Sequence, residues 1–226
     1  DGIDYIIWPE GSVNSFVYNN ASVRERLSSF LVEEQILITG STRFERVVGK
    51  LDIFNSMIIL NSRGGASYYD KNYLVPFGEF NPIKLIFPIP ALVNQFQDFS
   101  RGSGIETLKP SPAAPPFSPL ICYEIAFSGK ITNTELLRPE WILNITNDAW
   151  YGLSSGPFQH LDIAKVRAIE EGMPVVRAAN SGISAVFDSR GRIIAKTKLF
   201  KEQILDFKLP KKQAITLFSF YGNYPF

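Results

Sequence analysis

Apolar positions cluster in short, dense runs. Asp4-Tyr5-Ile6-Ile7-Trp8 is β-branched and aromatic and stops at Pro9, which predicts a buried strand whose C-terminal end presents Glu10. Ser22-Val23-Arg24-Glu25 has the form of a capping box, in which the Ser oxygen and the Glu carboxylate satisfy each other's backbone N–H groups. Val23, Leu27, Phe30, Leu31 and Glu34 follow at helical spacing, so an amphipathic helix is expected over 23–34. Ile36 to Gly40 reads as the next strand. Phe54 to Leu60 reads as another, closed by the turn Asn61-Ser62-Arg63-Gly64-Gly65. Strand, helix, strand in that order implies a layered α/β domain.

Residues 76–119 break the pattern. Prolines 76, 82, 88, 90, 110, 112, 115, 116 and 119 fall there. Proline fixes φ and removes a donor, so neither a helix nor a central strand is expected to run through. Long irregular stretches inside a domain tend to be functional loops. Within this one, residues 80–99 carry ten large apolar side chains, Phe87 and Leu92 among them. Regular patterns then return: strands at Leu120 to Cys122 and Trp141 to Thr146, and a helix from Phe158 to Glu171 with Leu161, Ala164, Val166 and Ala168 apolar. Strands follow at Pro174 to Arg177 and Ile183 to Phe187, then a turn at 189–192 into Ile193-Ile194-Ala195. No internal repeat or clear linker divides the chain, so 1–226 is read as one domain.

Composition narrows the chemistry. A chain of 226 residues, 45% apolar and 20% charged, can bury a core without disulfide or metal. Lys+Arg 23 against Asp+Glu 22 leaves +1, which speaks against a strongly basic nucleic-acid binder. A single Cys allows no internal disulfide. With one Cys and one His, a Cys/His zinc site is disfavoured and a Ser-His-Asp machine could use only His160. No glycine-rich phosphate loop is present, so no metal or nucleotide cofactor is expected. No apolar run reaches 18 residues, the least a membrane-spanning helix requires.

Three residues could do chemistry. Cys122 ends a strand directly before Tyr123-Glu124, and a strand end followed by a sharp turn can expose a nucleophile; the plainer alternative is a small buried hydrophobe. A thiol needs a base or a cation beside it, and with one His in the chain the base could be a carboxylate. Glu10, at its own strand end, is a candidate for that base, or a surface carboxylate. Lys71 could stabilise a developing oxyanion, or be an ordinary surface lysine.

The order Trp8-Pro9-Glu10, Tyr69-Asp70-Lys71, Ile121-Cys122-Tyr123-Glu124 is similar to the Glu-Lys-Cys arrangement of the nitrilase superfamily. The stretches Leu74 to Glu79, Asn144 to Gly152, Pro157 to His160 and Arg177 to Ser184 more narrowly resemble its bacterial apolipoprotein N-acyltransferase branch. The resemblance implies an αββα sandwich facing the periplasm from the bacterial inner membrane, with a first strand and helix ahead of Asp4 and transmembrane helices on either side. It implies Glu10 as general base, Cys122 as nucleophile and Lys71 as the oxyanion and base-orienting cation. Glu79, Glu124 and Tyr123 take supporting roles, Asn147 and Trp150 line the pocket, and His160 is structural. The implied reaction moves a fatty acyl chain from a phospholipid donor, through a Cys122 thioester, to the α-amine of a diacylated lipoprotein acceptor. The 80–99 segment, with Phe87 and Leu92 as substrate contacts, is expected to dip into the membrane surface. Two other readings compete: a soluble carbon–nitrogen hydrolase using the same three groups with water as second nucleophile, which has no use for an apolar lid, and a non-catalytic lipid- or lipoprotein-binding domain, against which the presence of all three reactive groups speaks.

Overall fold

A computed structural model describes residues 2–47, 49–82, 98–133 and 137–223. Two sheets lie face to face. The first contains β1 (Tyr5–Ile7), β2 (Ile36–Val47), β3 (Lys50–Asn61) and β4 (Ala66–Asp70) in that order, with β1 parallel to β2 and the other pairs antiparallel. The second contains β5 (Phe117–Ile121), β6 (Trp141–Asn147), β7 (Val175–Asn180), β8 (Ala185–Phe187) and β9 (Ile193–Lys196), parallel through β7 and antiparallel thereafter.

The two-residue period of a strand explains the layering. Ile36 and Ile38 of β2, Met57 and Ile59 of β3, and Leu143 and Ile145 of β6 point into one cluster between the sheets. Their neighbours face outward. Leu37, Ile58 and Leu60 pack under Val23, Leu27 and Leu31 of the segment that carries α1 (Ala21–Ser28). Leu120, Ile142 and Val175 pack under Leu161, Ala164 and Ala168 of α2 (Gly156–Glu171). Both faces of each sheet are therefore covered, giving helix, sheet, sheet, helix. This is why the strands read as continuous apolar runs and not as alternating ones.

Several elements differ from the sequence reading. Helix α1 starts after Asn20, whose side chain accepts from the N–H groups of Ser22 and Val23, so the cap is Asn20 and not a Ser22–Glu25 box. It ends at Ser28, not at 34: Ser29 Oγ turns back to the carbonyl of Arg26 at 2.8 Å, and Glu34 adopts a left-handed φ of 69°. Phe30, beyond that end, is solvent-exposed. Strands β2 and β3 run longer than their apolar cores, as one antiparallel hairpin. Strand β4 escaped the pattern because only Tyr69 and Asp70 of its five residues are buried. Pro119, placed in the irregular stretch, lies inside β5; that strand is the edge of its sheet, where a missing N–H is tolerated. Val166 of α2 faces solvent. A short C-terminal helix, α3 (Leu217–Tyr221), completes the elements. Phe87 and Leu92 lie outside the described residues.

Candidate active site

The C-terminal ends of β1, β4, β5 and β6 open onto one cavity of about 710 Å³ between the sheets. Glu10, Lys71, Glu79, Cys122, Tyr123, Asn147 and Trp150 all line it. Residues far apart in the chain meet there because parallel strands deliver their ends to the same side.

Glu10 follows β1 by three residues. Its approach to β2 depends on Gly40: a Cβ on that glycine would lie 2.5 Å from the Glu10 Cα. Glu10 Oε1 accepts from Asn55 Nδ2 at 2.7 Å, and Oε2 accepts from the Asn147 N–H at 2.7 Å. The carboxyl is buried, and this burial raises its pKa above the usual carboxylate range although the Lys71 ammonium opposes the shift.

Lys71 leaves β4 directly and is 1% exposed. Its ammonium donates to Glu79 Oε1 at 2.8 Å. Glu79 is fixed in turn: Oε1 also accepts from Asn55 Nδ2 at 2.9 Å and Oε2 from the Val75 N–H at 2.8 Å. Burial alone would pull the lysine pKa down, but Cys122, Glu10 and Glu79 more than offset it, so the ammonium stays charged.

Cys122 does not end β5 but opens the 3-10 turn Cys122–Ala126, with a φ of +54°. A non-glycine residue there stores about 1–2 kcal/mol of strain, which persists only where the surroundings enforce it. Glu124 supplies part of that enforcement. It is fully buried below the turn, outside the cavity lining, and accepts from the N–H groups of Ile121 (2.8 Å), Asn72 (2.7 Å) and Tyr73 (3.0 Å) and from the Tyr69 hydroxyl (3.0 Å). It thus ties the Cys122 turn to the loop after Lys71. Burial, reinforced by the Glu10 charge, pushes the Cys122 thiol up to about 11 against the pull of Lys71. At neutral pH the sulfur therefore carries its proton.

Tyr123 and Trp150 are exposed at the mouth, and Trp150 is 82% open to solvent. Asn147 contributes its backbone N–H; its side-chain oxygen accepts from the Ala149 N–H at 3.0 Å. His160 lies away from the cavity lining in a buried cluster: its Nδ1 is 3.0 Å from Asp148 Oδ1, and Asp148 Oδ2 receives Arg177 Nη2 at 2.6 Å. Sequence reading missed Asn55, which bridges Glu10 and Glu79, and Asn144, whose signal was a lone polar residue inside the apolar run of β6. Among the described residues, no three His, Cys, Asp or Glu side chains converge to hold a metal.

Fold and cavity together define a class: a two-sheet α/β sandwich in which a half-buried thiol on a strained turn faces a carboxylate and an ammonium. Residues 1–216 match the family model for the carbon-nitrogen hydrolases, and the chain belongs to that family. Among curated relatives, the apolipoprotein N-acyltransferase of Rhodopseudomonas palustris is 40% identical over 230 residues, covering 99% of this chain and 42% of that protein. That of Rickettsia prowazekii is 37% identical over 227 residues, covering 98% and 45%. The chain thus spans less than half the length of the curated relatives it matches. A solved CN-hydrolase superfamily protein of Xanthomonas campestris superposes with a TM-score of 0.62 at 18% identity, covering 98% of this chain and 82% of that one. An amidase of the nitrilase superfamily from Nesterenkonia gives 0.57 at 17% identity, covering 88% and 74%.

Proposed function

We propose that this chain is the catalytic domain of an apolipoprotein N-acyltransferase, with Cys122 as nucleophile, Glu10 as general base and Lys71 as the cation that stabilises the oxyanion. The observation that carries the reading is the cavity in which a protonated thiol, a buried carboxylate of raised pKa and a fixed ammonium meet. Glu10 takes the thiol proton as Cys122 Sγ attacks the ester carbonyl of a phospholipid. Lys71 stabilises the tetrahedral oxyanion, a contribution of about 3–4 kcal/mol for a well-placed donor. The proton passes from Glu10 to the departing lysophospholipid oxygen, leaving a thioester on Cys122. The α-amine of a diacylglyceryl-cysteine then attacks the thioester, Glu10 accepts its proton, and the thiolate leaves and is reprotonated. Glu79 holds the Lys71 ammonium, Glu124 holds the Cys122 turn, and Tyr123, Asn147 and Trp150 bound the space for substrate.

Two features favour a lipid acyl donor over a small amide. Apolar side chains of Val13, Phe16, Val75, Phe99 and Trp150 line the cavity beyond the polar cluster. The sequence of 80–99, which ends in that same Phe99, holds Phe87, Leu92 and seven further large apolar residues, suited to a lipid surface at the outer face of the bacterial inner membrane. Among the described residues no helix is long and apolar enough to cross a membrane.

Intact mass of the full-length protein after incubation with phospholipid tests the reading. One fatty acyl group on Cys122, discharged by an N-terminal diacylglyceryl-cysteine peptide, is the expected result; an unmodified thiol, or discharge by water alone, overturns it. Phe87→Ser with Leu92→Ser should weaken association with phospholipid vesicles, and unchanged association would count against the membrane role of that segment.

A further inference from the structure

A chain of buried side chains runs from the outer face of the second sheet to the carbonyl of Cys122. Asp148 receives Thr146 Oγ1 at 3.1 Å and Arg177 Nη2 at 2.6 Å. Arg177, 2% exposed, places Nη1 2.6 Å from Asn144 Oδ1 and Nε 3.3 Å from the Ile183 carbonyl. Asn144, fully buried in the middle of β6, then donates Nδ2 to the Cys122 carbonyl at 3.2 Å and to the Leu120 carbonyl at 3.4 Å. Because Arg177 can only donate, it fixes which end of the Asn144 amide is oxygen and which is nitrogen. The amide nitrogen must face Cys122.

A trans peptide is planar, so its C=O and the following N–H point in opposite directions. Holding the Cys122 carbonyl toward Asn144 aims the Tyr123 N–H to the other side of that peptide plane. Glu124 anchors the chain ahead of this peptide through the Ile121 N–H. Asn144 bonds the carbonyl of this peptide itself, so the two contacts flank Cys122, whose φ is +54°.

We propose that Asn144, locked by Arg177 and Asp148, is a positioning residue that orients the Cys122–Tyr123 peptide so that the Tyr123 N–H joins Lys71 in binding the oxyanion. This rests on Cys122 being the nucleophile of the acyl-transfer reading. The Asn144 contact would therefore act on transition-state charge, whereas Thr146, which the test leaves in place, is the member of the network that bonds the Cys122 thiol.

Two rates at Cys122 separate these effects. Acylation by an ester develops an oxyanion, whereas alkylation by iodoacetamide displaces iodide and develops none. In the full-length protein, Asn144→Asp keeps the shape and the Arg177 contact but presents an acceptor to the Cys122 carbonyl. Acylation by phospholipid, followed by intact mass, should fall at least tenfold while alkylation at a fixed pH stays within about threefold. Equal losses of both rates, or no loss of acylation, would overturn the proposal. Should Asn144→Asp fail to fold, Asn144→Ser, whose side chain is shorter, is read by the same two rates. A p-nitrophenyl ester as a second acyl donor keeps the two claims apart: if wild-type Cys122 accepts an acyl group from that ester and not from phospholipid, the lipid reading fails while the Asn144 comparison still stands or falls on the activated ester.

Discussion

The Lys71 ammonium sits 2.8 Å from Glu79 Oε1, and water reaches almost none of the lysine. A surface pair of this kind would contribute little, but here each partner neutralises a charge that the interior would otherwise reject. The cation is thereby held inside the cavity before any substrate arrives.

Breaking that pair from one side should be costly. Lys71→Met leaves Glu79 uncompensated and is expected to lower stability by about 3–5 kcal/mol. The double variant Lys71→Met with Glu79→Gln should regain most of that loss in urea unfolding, yet remain unable to acylate Cys122. Simple addition of the two single losses would show that the residues are not energetically coupled.

Glu10→Gln separates basicity from charge. The Glu10 carboxylate raises the Cys122 pKa, so its removal should move the midpoint of the iodoacetamide pH profile below about 11. Acyl transfer should nevertheless drop by about 100-fold or more, since in the proposed mechanism Glu10 is the proton acceptor. In the wild type, the acid limb of acyl transfer should lie above pH 4.5, because burial raises the Glu10 pKa above that ordinary value. That limb should vanish in the variant. An unchanged limb would assign it to another group.

Gly40→Ala drives a methyl group to 2.5 Å from the Glu10 Cα. Overpacking of this kind costs about 1–3 kcal/mol and must move the backbone that carries Glu10. Thermal unfolding should register the loss, and acylation should fall while alkylation of Cys122 at a fixed pH does not, because moving the Glu10 charge away can only lower the thiol pKa. Normal acylation would mean that Glu10 accommodates the shift.

His160 predicts a pH slope in stability. Burial is the main cause of its lowered pKa, with the Arg177 charge adding to it and Asp148 opposing. The unfolded chain therefore takes up a proton near 6.5 that the folded chain does not. Its contribution is complete above about pH 6.5 and is lost as pH falls from there toward the lower folded-state value, at a slope of at most about 1.4 kcal/mol per pH unit. The difference between wild type and His160→Gln in urea unfolding between pH 7 and pH 5 should show this slope, and a flat difference would refute it.

The sequence made the sandwich legible where apolar runs were long. Trp141 to Thr146 and Phe158 to Glu171 were placed to within two residues, because burial on both faces, or one full helical face, leaves a dense signal. It was weaker where partly exposed residues carry structure: β4 is short and only two of its five residues are buried, yet it positions Lys71. The end of α1 turned on a side chain, Ser29, folding back on its own backbone, which periodicity does not register. Cys122, Glu10 and Lys71 could be nominated by residue type and local setting, but their meeting is a product of sheet topology. Asn55 and the contacts of Asn144 were not legible because a polar residue within a strand carries no mark of its partner.

Glu10 hangs from one sheet, Cys122 and Asn147 from the other, and the hydrogen bond from Asn147 to Glu10 joins positions 137 residues apart. Neither half of the sandwich owns a working pair. A chain whose second sheet is still emerging from the ribosome, or has slipped in register, exposes a thiol with no proton acceptor beside it. On the proposed mechanism, chemical competence thus arises only once both sheets have been assembled against each other.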